Sequence, residues 1–153
     1  MRFCLCWVLF GLLACASFTG CNQGPEIVPV SGQITIEGKP LQGGFITVMP
    51  NIDGKGRPAL GAINSDGTFE LTTNLNGRKI PGTYLGEHQV EISAFVYKDR
   101  KKIWYAPTSY SVYANSKLLA KIDGPTDQLN FDLKWDTEAN RAKGMVIEHI
   151  QAE

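Results

Sequence analysis

The chain has 153 residues, 43% of them hydrophobic and 20% charged, a composition that supports a globular domain with a sizeable core. Its 15 basic side chains balance 15 acidic ones, so it lacks the basic surface that nucleic-acid phosphates demand. All four cysteines precede residue 22, which excludes a disulfide framework in the rest of the chain.

Arg2 is the only charge before Glu26, and residues 3–18 form an unbroken run of apolar and small side chains. A positive tip, an apolar stretch and a close of small residues predict a secretory signal peptide over residues 1–20. At about 16 residues the run falls short of the roughly 20 that a membrane-spanning helix needs. Phe18-Thr19-Gly20-Cys21 then resembles the lipobox of bacterial lipoproteins. That resemblance implies cleavage before Cys21 and diacylglycerol on its sulfur, so the chain would meet a membrane through an N-terminal lipid. Leu12-Leu13-Ala14-Cys15 is the alternative lipobox, with Cys15 as the lipidated residue. Cys21 is preferred because cleavage at Cys15 leaves a short signal and strands Phe18 in the mature tail. After Cys21, by contrast, Asn22-Gln23-Gly24-Pro25 reads as a polar tether, spanning residues 21–27 with its flanks.

From residue 28 the period of the pattern is two. Val28, Val30, Ile34 and Ile36 alternate with polar residues up to the Glu37-Gly38-Lys39-Pro40 turn, and a run over 45–49 stops at Pro50. Residues 59–64 and 68–73 flank Ser65-Asp66-Gly67, and Asp-Gly between two apolar runs predicts a two-residue hairpin loop. Pro81-Gly82 breaks the chain before the alternating run 88–96, and strands over 118–122 and 129–135 complete the set. Seven or eight short strands bounded by turn residues predict an all-β fold, a single antiparallel β-sandwich of Ig-like or transthyretin-like kind over 28–135. Only 108–115 and 137–143 leave room for a helical turn. The basic cluster 98–102 reads as a solvated hairpin loop, and the C-terminal extension 136–153 is left open between an added edge strand and a frayed tail.

Three motifs in this order resemble carboxypeptidase-regulatory-like (transthyretin-like) domains. They are Val30-Ser31-Gly32-Gln33-Ile34 with its following turn, Asn64-Ser65-Asp66-Gly67-Thr68-Phe69, and Pro81-Gly82-Thr83-Tyr84. Pro107 to Tyr110, Ser116-Lys117-Leu118 and Phe131-Asp132-Leu133 are similar to segments of small bacterial lipoproteins made of one such domain. The resemblance covers residues 28–134 and implies an exported envelope protein facing the periplasm or the exterior. The chain departs from the pattern at Leu85-Gly86-Glu87-His88-Gln89, read as a bulge or an offset strand start with Gly86 supplying the bend.

Catalysis finds no support in the sequence. The two histidines, His88 and His149, each follow a Glu, and neighbouring strand residues point to opposite faces, so neither pair chelates a metal by itself. No phosphate loop or nucleophilic triad is justified, and no cofactor is expected. The candidate binding residues are Trp104, Tyr105, Tyr110 and Tyr113, within the most aromatic stretch of the mature chain. Such rings either stack on a glycan or envelope protein, or cap one end of the sandwich. The balance of these readings places Tyr110 inside and Trp104 nearer the rim. The expected function is a non-catalytic, lipid-anchored accessory or binding module of the cell envelope. The alternatives are a purely structural envelope protein and a carbohydrate- or peptide-recognition domain.

Overall fold

The computed structural model describes residues 26–51, 56–98, 101–137 and 146–149, with no side-chain description for 98, 101 and 146–149. Cys15, Cys21 and the apolar run 3–18 lie outside these residues. Among the described residues no helix is long and apolar enough to cross a membrane.

The fold is all-β and built on one curled, mainly antiparallel sheet. In chain order the strands are β1 (Ile27–Val28), β2 (Ser31–Ile36), β3 (Lys39–Pro40), β4 (Gly44–Pro50) and β5 (Ala59–Ile63). They continue with β6 (Thr68–Glu70), β7 (Thr72–Leu75), β8 (Arg78–Pro81), β9 (Thr83–Tyr84) and β10 (Gly86–Ser93). After β11 (Phe95–Lys98) and β12 (Lys101–Trp104) come a 3-10 turn (Thr108–Ser111) and the one-turn helix α1 (Tyr113–Ser116). The last strands are β13 (Leu118–Ile122), β14 (Phe131–Leu133) and β15 (Val146–His149).

The sheet runs β13-β10-β4-β5-β6-β2-β14, with β3 beside β2 and the β7–β8 hairpin also joined to β5. Alternation explains the layering. In β4, Ile46 and Val48 point inward; in β5, Ala59 and Ile63; in β10, Val90 and Ile92. The inward sets meet Ile34, Leu41, Phe69, Leu71, Ile122 and Leu133 in one core, the sandwich-like closure that period-two patterning predicts. The partner opposite β5 changes at Leu71, whose N–H donates to the Val30 carbonyl at 2.9 Å while its own carbonyl accepts from Gly82 N–H at 2.6 Å. β6 therefore lies between β5 and β2, while β7 lies between β5 and β8.

Four features differ from the sequence-based expectation. The seven or eight runs are divided more finely, because Leu71, Leu85 and Ala94 each interrupt a strand. β14 lies parallel to β2, with Phe131, Asp132 and Leu133 facing Ile34, Thr35 and Ile36. The Ser65-Asp66-Gly67 loop has three residues, closed by Asn64 N–H on Thr68 O at 2.8 Å. Its Gly67 has φ +81°, the left-handed position that such loops assign to glycine. Finally, Lys102 belongs to β12 and not to a loop. β10 starts at Gly86, where φ is +115°, and keeps an unbroken register with β13, so this segment is an offset start and not a bulge. β15 pairs with β12, adding a third strand to the β11–β12 hairpin.

Candidate functional site

The aromatic segment does not assemble into one surface. Trp104 is only 5% exposed. It packs edge-on against Phe95, its ring 5.2 Å away across the β11–β12 ladder, and Phe95 meets Tyr97 at 5.5 Å. The Lys102 ammonium sits 4.0 Å from the Trp104 ring and 4.2 Å from that of Phe95. A cation over two aromatic faces is an attractive arrangement in itself, so these faces already have an occupant. The Trp104 Nε1–H is buried without a hydrogen-bond partner.

The three tyrosines part company. Tyr105 and Tyr110 are half-buried against the core. The Tyr110 hydroxyl accepts from Lys134 N–H at 3.2 Å and donates to the Lys134 carbonyl at 3.4 Å, which fastens the 3-10 turn to the segment after β14. Tyr113 lies on the outer side of β4 and β10, with Thr47 as hydrogen-bond partner. Burial first, and the nearby Glu91 carboxylate second, push its phenol above its ordinary value. The expected order of burial is thus reversed: Trp104 is inside and Tyr110 nearer the rim. The physical reason is the β11–β12 ladder, which sets Trp104 opposite Phe95 instead of in a crossover loop.

A cleft of about 540 Å³ opens elsewhere, between the start of β2, the β6–β7 break, Pro81-Gly82 and Pro125 to Asp127. Its walls are pinned by main-chain bonds. Ser31 N–H donates to the Thr126 carbonyl at 2.9 Å, and Thr126 N–H donates to the Pro29 carbonyl at 3.1 Å. Gly82 has φ +102°, and a Cβ there would lie 1.8 Å from the Val28 carbonyl oxygen, so only glycine lets these segments approach. Glu70 and Asp127 bring carboxylates to the rim, while Ser31, Thr72 and Thr126 bring hydroxyls. Sequence reasoning missed this cleft because its residues come from four segments far apart in the chain and share no motif.

His88 is 1% exposed and faces the core. Its Nδ1 lies 3.0 Å from the Gly86 carbonyl and its Nε2 3.4 Å from the Thr83 hydroxyl. Burial holds its ionisation below the ordinary histidine value, with the Gly86 carbonyl acting weakly the other way. Both ring nitrogens are engaged in holding the β9–β10 junction. Among the described residues no group of three or more His, Cys, Asp or Glu side chains could hold a metal ion. No protein-family model, curated protein or solved structure matches the chain.

Proposed function

We propose that the chain is a lipid-anchored, non-catalytic binding module of the bacterial cell envelope, built on a carboxypeptidase-regulatory-like domain. The N-terminal sequence supports the anchor: a charged tip, an apolar run and the small residues before Cys21 lead straight into the polar tether. The observation that carries the binding role is the cleft beside Ser31, Glu70, Pro81 and Asp127, walled by fixed backbone and edged with polar groups. His88 is assigned to the fold and not to a site, because both its ring nitrogens are engaged at the β9–β10 junction. A purely structural envelope role is the second reading. It is favoured by the burial of Trp104, which turns segment 104–113 away from glycan stacking and toward holding the sandwich end.

Fatty-acid labelling of the full chain in a bacterial host tests the anchor. Cys21→Ala should abolish the label and move the chain to the soluble fraction, whereas Cys15→Ala should leave both unchanged. Label that survives in Cys21→Ala overturns the assignment of the lipidated residue. Binding is tested with envelope glycan and peptide libraries, comparing the natural chain with Glu70→Ala. A ligand lost on that substitution supports the cleft, and a chain that retains nothing leaves the structural reading in its place.

A further inference from the structure

The cleft beside Ser31 is chemically one-sided. None of its lining side chains is basic and none is aromatic. Its amides are largely spent: those of Ser31, Leu71, Gly82 and Thr126 donate to the carbonyls of Thr126, Val30, Leu71 and Pro29. Pro29, Pro81 and Pro125 carry no N–H at all. What the lining side chains offer a ligand is oxygen, in the two carboxylates of Glu70 and Asp127 and the hydroxyls of Ser31, Thr72 and Thr126. An anionic ligand would meet like charge there, and a sugar ring would find no aromatic face to stack on.

The two acids share a centre. Glu70 lies directly opposite Ser31 in the β2–β6 ladder, and opposed residues share a face with their Cβ atoms about 4.5–5.5 Å apart. On its other flank Ser31 donates its N–H to the Thr126 carbonyl at 2.9 Å, and Asp127 is the next residue along. Ser31 thus stands between the carboxylates. Neither acid is neutralised from within, since the ion pairs among the described residues are Lys121–Asp123 and Lys134–Asp132. Below them the floor is apolar, with Val30 and Leu71 buried, and proline rings stand along the walls. A fitting occupant is cationic at one end and apolar along the rest.

The kind of cation follows from the donors it must supply. Ca²⁺ takes about six to eight oxygen ligands and Mg²⁺ a near-ideal octahedron. Among the described residues no group of three or more His, Cys, Asp or Glu side chains could hold such an ion. A guanidinium presents a planar fork that matches one carboxylate, whereas these acids lie on two flanks. A primary ammonium carries three rotatable donors, which suits a carboxylate, a hydroxyl and a second carboxylate around one point.

We infer that the cleft takes a primary ammonium at the end of an aliphatic stem, as a lysine-type side chain of a peptide carries. Glu70, Ser31 and Asp127 surround the charge, and the prolines and the Val30–Leu71 floor receive the stem. The inference rests on the cleft being the binding site of the module, and it narrows the ligand to a basic peptide.

The test follows backbone amide resonances of the full-length chain in detergent micelles during titration with Nα-acetyl-lysine methylamide. The amides of Ser31, Leu71 and Thr126 should shift. Glu70→Gln and Asp127→Asn should each raise the dissociation constant about threefold, the size of one exposed ion pair, and together about tenfold. Glu87→Gln, which removes an exposed acid outside the cleft, should leave it unchanged, with circular dichroism constant throughout. The Nε-acetylated probe, which has lost the charge, should not bind, and glucosamine, which has an ammonium but no stem, should bind more weakly. Equal binding of the acetylated probe removes the ammonium from the inference, and equal binding of glucosamine removes the stem. Shifts of the same amides with calcium chloride alone would make the site a metal site and overturn it. Cleft amides that ignore the lysine probe also overturn it; a library ligand that still moves them would leave the cleft as the binding site, and none would remove both.

Discussion

Gly67 meets two demands at once, and only glycine satisfies both. Its φ of +81° lies in the left-handed region, and a Cβ built on it would come within 2.5 Å of the Ile34 carbonyl oxygen. That second constraint arises because the Gly67 carbonyl accepts from Ile34 N–H at 2.9 Å, tying the loop to β2. Asp66 completes the turn, its carboxylate accepting from the Thr68 hydroxyl at 2.6 Å and the Thr68 N–H at 3.0 Å. The hydroxyl bond, then the amide bond, hold this carboxyl below its ordinary value. Gly67→Val should cost about 1–3 kcal/mol, the range for a strained backbone position. Urea denaturation checks it. A midpoint equal to that of the natural chain would show that the loop does not press on β2.

Among the elements, those built from alternation were legible in the sequence, and those built from distant pairing were not. β2, β4, β5, β10 and β13 each carry a period-two burial pattern that the residues announce. β8 reads Arg78-Lys79-Ile80-Pro81, with no apolar face, and forms only because β7 offers a partner. The side-by-side placement of β14 and β2 was hidden for another reason: parallel neighbours are set by chain topology, which local residues do not encode. The same limit applied to the cleft, whose Ser31, Glu70, Pro81 and Asp127 meet only after folding. What fixes β14 is Asp132. Its carboxylate takes hydrogen bonds from Lys134 Nζ, from Gly38 N–H at 2.8 Å and from the Thr35 hydroxyl at 2.8 Å. Led by the Lys134 bond, these lower its pKa from 3.8 to about 2. Below 3.8 the unfolded chain takes up the proton first, so the clamp stabilises fully above that value and is lost as pH falls from 3.8 toward about 2. Asp132→Asn, which has no proton to gain, should flatten the stability profile across that window. An acid-denaturation curve with unchanged slope in Asp132→Asn would remove Asp132 from the clamp.

At the scale of the whole molecule the sheet would give a domain anchored through Cys21 a direction. The chain enters beside β9, where Leu85 N–H donates to the Glu26 carbonyl at 3.2 Å. β10 begins one residue later and runs eight residues away before giving way to the β11–β12 hairpin. At about 3.3 Å per residue that separates the two ends by about 26 Å. The five residues from Cys21 to Glu26 reach at most about 18 Å, so a lipid on Cys21 would keep the β1–β9 end close to the bilayer. The hairpin, with Tyr97 60% exposed, then points away from it. A single acyl chain holds only marginally, and lasting attachment needs more than one, which the diacylglycerol on Cys21 would supply. Brominated lipids, which quench tryptophan on contact, give the test in a Trp135→Phe background. Trp104, at the end of β12 in the hairpin, should keep its emission in membranes of brominated lipid. A tryptophan placed by Glu26→Trp in a Trp104→Phe, Trp135→Phe chain should lose most of its own. Equal quenching at the two positions would mean that the domain lies flat on the membrane, with β10 parallel to the surface. The hairpin would then be a membrane contact and not the outward face of the module.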